Sequence, residues 1–100
     1  MLGRRLVFMP LALKARQGFV NTWHETALDV LCELDKIVQT HPEYGTKTSR
    51  QGRFSLKLKV SAHQNLIICE IIYSFTDRAV RWETFTWRAV KTPPQKPKTP

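Results

Sequence analysis

The tightest constraint on this chain is the shortness of the links between three strand-like runs. Phe54-Ser55-Leu56-Lys57-Leu58-Lys59-Val60 alternates apolar and polar residues without a miss. That is the period-2 pattern of a strand with one dry and one wet face. Leu66–Phe75 is β-branched and nearly all apolar, as in a central strand covered on much of both sides. Its odd positions, Ile67, Cys69, Ile71, Tyr73 and Phe75, make the better core face, because Glu70 and Ser74 occupy the other. The third run is Val80–Ala89. Ser61–Asn65 and Thr76–Ala79 are too short for crossover connections, so the runs must be antiparallel neighbours. The sequence therefore predicts a three-stranded meander over 54–60, 66–75 and 80–89.

The third run is irregular. Val80 and Trp82 share one parity, whereas Phe85, Trp87 and Ala89 share the other, so the apolar set changes face around Glu83-Thr84. A β-bulge there would restore a continuous core face, and bulges often sit where a side chain must be re-aimed. The other reading covers both faces, one by a helix and one by a subunit partner.

A dry sheet face needs a lid. Trp23, Ala27, Val30, Leu31, Leu34 and Val38 recur at helical spacing, with Glu25, Asp29, Glu33 and Lys36 off the stripe. Thr22 followed by Glu25 has the capping-box pattern, and His41-Pro42 ends the segment. The expected main helix thus covers 22–40. Upstream, residues 5–9 suit an edge strand. Pro10 suits a first helical turn, and Leu11–Gln17 suits a short helix over 10–17 that stops at Gly18, with a strand-and-loop reading as the alternative. The expected fold is α+β, with residues 1–91 as one domain and 92–100 as a mobile Pro/Lys-rich tail. A chain of this size buries roughly two-thirds of its unfolded surface.

Charge is unevenly spread. The chain carries sixteen Lys and Arg against eight Asp and Glu, for a net charge of +8, and five of the acids fall within residues 21–43. The helix is acidic and the sheet with its flanks is basic, which favours an anionic partner for the sheet side. Cys32 and Cys69 have no Cys-x-x-Cys spacing and read as reduced core residues, with a helix-to-sheet disulfide as the alternative in an exported chain. Arg4-Arg5 before Leu6–Leu13 is a poor signal peptide, because the apolar run is short and contains Pro10. No run approaches the length of a membrane span. The expectation is a cytoplasmic protein that does not engage a membrane.

Several chemistries lack their motifs. There is no phosphate loop, dinucleotide fingerprint or His-Glu-x-x-His, and His24, His41 and His63 are scattered, so neither a cofactor nor a metal site is expected. What remains is a basic, aromatic surface. Arg53, Lys57 and Lys59 lie at and along the first meander strand, and Arg78, Arg81, Trp82, Trp87 and Arg88 lie on or near the last. Cations that hold phosphates, interleaved with rings on which bases stack, are the ingredients of single-strand nucleic-acid binding. Trp82 and Trp87 serve equally well as core or interface residues.

The order of strand, helix pair and meander, the opening Val7-Phe8-Met9-Pro10-Leu11-Ala12-Leu13-Lys14, the Arg53–Leu58 strand and the Ile67–Phe75 strand together resemble the RelE/ParE superfamily of small basic toxins. That resemblance implies a helical hairpin on an antiparallel sheet, action on messenger RNA at the ribosome or on gyrase, and an antitoxin-like partner. It also implies that Lys57 and Lys59 contact phosphate or clamp charge in a cleavage transition state. Asn65-Leu66 stands where the family often has an arginine, and Pro93-Pro94 precludes a closing helix, so catalysis is left open.

Three functions compete. The first is a basic, toxin-like domain that binds RNA or a ribonucleoprotein. The second is a homodimeric protein-interaction module using Trp82, Phe85 and Trp87 as its interface. The third is a small-molecule binder with a pocket lined by Trp23, Tyr73 and Trp87.

Overall fold

The three runs form one meander, and the chain adds a short strand at each side of it. The computed structural model describes residues 3–91. In order, the elements are β1 (Arg5–Phe8), α1 (Pro10–Trp23), α2 (Glu25–Thr40), a 3-10 turn (Pro42–Tyr44), β2 (Thr46–Lys47), β3 (Phe54–Ala62), β4 (Asn65–Phe75) and β5 (Ala79–Lys91). The sheet order is β1-β5-β4-β3-β2, with β1 parallel to β5 and every other pair antiparallel. The fold is α+β. The expected tail at 92–100 lies outside the described residues.

The irregular third strand resolves as a bulge. Ile72 pairs with Thr84 and Tyr73 with Trp82, which leaves Glu83 as the extra residue. Trp82 and Phe85 consequently face the same side and are buried together with Ile67, Cys69, Ile71 and Tyr73. The β3–β4 link is tighter than expected. Ala62 pairs with Asn65, and His63 and Gln64 both take positive φ, the two-residue turn whose twist matches a hairpin. β2 pairs only with Phe54 and Ser55, so among the described residues no strand lies beside the outer edge of β3 from Leu56 to Ala62.

The helical region departs from the sequence reading at its middle. α1 does not stop at Gly18. Its sheet-facing side continues from Ala12 through Ala15 and Phe19 to Trp23, and Gly18 lies on the exposed side, where a missing side chain leaves no gap in the core. Burial of Phe19 outweighs the roughly 1 kcal/mol that a helical glycine costs. The capping box at Thr22 does not form, because Thr22 Oγ1 donates back to the Gly18 carbonyl at 2.8 Å. α2 starts at Glu25, after His24 at φ 51 reverses the chain. Its stripe of Ala27, Val30, Leu31, Leu34 and Val38 is buried as the spacing predicts. Arg16 ties the two helices with a forked pair to Asp35 at 2.9 and 3.1 Å. Its guanidinium also lies 4.2 Å from the Phe8 ring centre and 4.4 Å from that of Trp82. The cysteines are both free, with Cys69 buried and Cys32 exposed on α2, so Cys32 is not the core residue its sequence context suggested.

The loop after α2 is fixed by one buried hydroxyl. Tyr73 Oη donates to the Pro42 carbonyl, and Gly45 passes so close that a Cβ there would collide with Oη. Gly45→Ala should cost about 2 kcal/mol in urea unfolding and Tyr73→Phe about 1 kcal/mol. The cost of Gly45→Ala should shrink in the Tyr73→Phe background, where the colliding oxygen is gone, and strictly additive costs would refute the close approach. Burial also pushes the Cys69 thiol from 9.0 up to about 11. The folded chain therefore keeps this proton longer than the unfolded chain, so the contribution is intact at neutral pH and is lost as pH rises from 9.0 towards 11. Stability measured in urea across that interval should fall less steeply in Cys69→Ala, and parallel slopes would reject the assignment.

Candidate nucleic-acid interface

The helices cover one face of the sheet, and strand register decides what the other face carries. Its cross-strand rows are Ser55–Ile72–Thr84, Lys57–Glu70–Thr86, Lys59–Ile68–Arg88 and Ser61–Leu66–Val90. Lys59 and Arg88 flank Ile68 about 10 Å apart, two strand spacings. Arg81 stands on the same face beside Ser74, about 20 Å along the sheet from the Ile68 row. Lys57, Lys59, Arg81 and Arg88 are exposed, and none of them joins an ion pair among the described residues. Their common face follows from alternation within each strand, with the bulge keeping Arg81 and Arg88 on one side.

Two carboxylates interrupt the cations. Glu70 sits across from Lys57, and its Oε2 accepts the Ser55 hydroxyl at 2.6 Å. Glu83 Oε1 meets Arg53 Nε at 3.3 Å and accepts the Ser74 hydroxyl, also at 3.3 Å. Arg53 is thus partly neutralised at the near end of the face. Arg78 is exposed in the β4–β5 turn, and it lines a hollow with Arg4, Asp77 and the end of α2, away from the rows.

The aromatic part of the expected surface is on the other side. Trp82 is 0% exposed, packed edge-on against Phe8 at 5.5 Å and under Arg16. Trp87 packs on Phe19 at 5.4 Å and on Trp23 at 6.4 Å. Neither ring shares the face of the lysines, so neither can stack a base there. The same burial removes Trp82 and Phe85, at 0% and 3% exposure, from any intersubunit surface of this fold. Tyr73 is buried with its hydroxyl on Pro42, in the strand row of Trp82, whereas Trp23 adjoins Trp87, so these three side chains do not enclose a common pocket.

The sequence reading passed over two charged residues of this face, Arg5 and Glu83, and left Arg50 in a basic loop that suits either binding or mere connection. Arg5 precedes Val7, the partner of Arg81, and belongs to the same side of the edge strand. Its signal was the parity of residues 5–8. Arg50 lies in a loop held by Thr48, whose Oγ1 accepts the Arg50 amide at 3.2 Å and donates to the Arg53 carbonyl at 3.1 Å. Gly52, at φ 76, supplies the positive φ that this turn requires. Glu83 was visible only as the site of an irregularity. Where β1 leaves β5 after Trp82, a cleft of about 490 Å³ opens between Pro10-Leu11, the loop at Arg50 and Arg53, and the strand residues Ile72, Glu83 and Thr84.

Among the described residues no cluster of His, Cys, Asp or Glu could hold a metal ion, and no helix is long and apolar enough to cross a membrane. Fold and surface define a basic α+β domain with a helical hairpin on one side of its sheet and an open, cationic opposite side. Comparison with protein-family models, with curated proteins and with solved structures found no match.

Proposed function

We propose that the helix-free sheet face binds nucleic acid, with RNA or a ribonucleoprotein as the target. The observation that carries this is the convergence of Lys57, Lys59 and Arg88 around Ile68, all three exposed and outside any ion pair among the described residues. Free cations on one surface release counterions when they meet phosphates, whatever the sequence of the strand. With the tryptophans beneath the helices, the apolar contribution on this face comes from aliphatic Leu66, Ile68 and Ile72, so phosphate binding dominates. The toxin-like part of the proposal, with an antitoxin-like partner, rests on the sequence resemblance alone.

Anisotropy titrations of single-stranded RNA at several salt concentrations should give affinity that falls steeply with salt. Lys57→Ala/Lys59→Ala/Arg88→Ala should weaken binding and flatten the slope by about 2, at roughly 0.7 for each phosphate no longer neutralised. Arg78→Ala, off the rows, should change both far less. Salt-independent binding, or equal losses in the two variants, would overturn the proposal.

A homodimeric interaction module is favoured by a separate observation. A groove of about 610 Å³ runs between α1 and α2, and Leu13 and Leu28 on its borders are 53% and 55% exposed. If this groove is the dimer surface, light scattering should report a dimer at high concentration that Leu13→Glu/Leu28→Glu dissociates. A monomer throughout removes this reading.

A further inference from the structure

We infer that the cleft beside the Glu83 bulge receives one unstacked guanine base of the bound strand, an inference that rests on the nucleic-acid reading above. The bulge leaves Glu83 unpaired in the ladder and its carboxylate among the residues that line the cleft. The carboxylate meets Arg53 and Ser74 through Oε1, at 3.3 Å in each case, and neither of these contacts uses Oε2. The Glu83 side chain is 19% exposed, sheltered enough for a hydrogen bond to discriminate and open enough to be reached.

A carboxylate only accepts hydrogen bonds, so it selects the base edge with the most adjacent donors. Guanine presents N1–H and the N2 amino group side by side. Adenine and cytosine each place a ring-nitrogen acceptor beside their amino group, and uracil flanks its single N3–H with two carbonyls. Three of the four bases therefore point at least one acceptor at Glu83, and guanine points two donors. The remaining walls suit a nucleotide. Pro10 and Leu11, the latter 72% exposed, offer an apolar surface to the flat of a ring. Exposed Arg50 at the same cleft can take the adjoining phosphate. Single-stranded RNA is read in this way, by bases splayed from the stack and bonded on their Watson–Crick edges. The cleft lies on the same sheet face as Lys57 and Lys59, since Ile72 and Thr84 contribute to both.

The test uses single-stranded RNA oligomers of uridine carrying one central guanosine, adenosine or cytidine, titrated by anisotropy against the full chain. The guanosine oligomer should bind about tenfold tighter than all-uridine, the discrimination expected of a paired base contact. In Glu83→Gln that preference should disappear while all-uridine binding becomes slightly tighter, because the charge that partly neutralises Arg53 has been removed. Ser74→Ala, which removes a neighbour and keeps the carboxylate, should retain the preference and so separates loss of the acceptor from loosening of the cleft. Free GMP, and not AMP, should abolish the advantage of the guanosine oligomer. Equal affinity for all oligomers, or a preference that survives Glu83→Gln, overturns this inference and leaves the phosphate-binding reading standing. No binding of any oligomer overturns both.

Discussion

One extra residue in β5 is what the rest of the molecule depends on. A strand without it would turn Trp82 and Phe85 to opposite faces, because side chains alternate strictly along a regular ladder. With Glu83 inserted, both rings face the helices. They join a run of packed aromatic rings in which Trp82 meets Phe8 at 5.5 Å and Phe85 at 5.8 Å, and Phe19 meets Phe85 and Trp87 at 5.4 Å each. Trp82, the largest fully buried side chain, and Phe19 both belong to this run, and large aromatic rings supply much of the burial in a chain of 100 residues. The inserted residue cannot share that face, so its carboxylate is left on the opposite one. Core packing and the chemistry of the open side thus have a common origin.

Net charge overstates what the surface offers a polyanion. Arg16 is spent on Asp35 and on the rings of Phe8 and Trp82, and Arg53 leans on Glu83. Arg4 donates to the Thr76 carbonyl at 2.7 Å and lies over Phe75. These guanidiniums hold elements together, a task that suits a planar fork with several donors. The lysines of β3 have no such duty. The interior is not fully satisfied either, since the indole nitrogens of Trp23 and Trp82 are buried without an acceptor among the described residues. For Trp82 that is a cost on the order of 1–3 kcal/mol, set against the packing of the largest side chain in the core.

Much of this was legible in the chain itself. The alternation of Phe54–Val60, the odd face of Leu66–Phe75 and the parity break at Glu83-Thr84 each describe a property of one strand, and each is where the sequence places it. The stripe of α2 is likewise a local pattern. What escaped depended on partners far along the chain. Gly18 looks like a stop until Phe19 is seen to pack on Phe85 and Trp87, and Thr22 looks like a cap until α1 continues through it. The side taken by Trp82 and Trp87 was undecidable from composition, because a basic strand rich in tryptophan fits a core and a binding surface alike. Glu83 was missed as a site for a related reason: a lone acid in a cationic region gains meaning only beside a cleft formed by Pro10-Leu11 and the loop at Arg50.

The bare flank of β3 carries a consequence of its own. The outward-facing amides and carbonyls between Leu56 and Ala62, beside which no strand lies among the described residues, form a template on which another chain can lay down a strand. If two copies meet antiparallel about Leu58, Lys57 of each faces Lys59 of the other, and like charges in opposed positions repel. The same two ammonium groups therefore act as gatekeepers against self-association. Stripping them also disarms the edge, so the guard against edge-to-edge pairing and the proposed affinity for polyanions rest on the same pair of side chains.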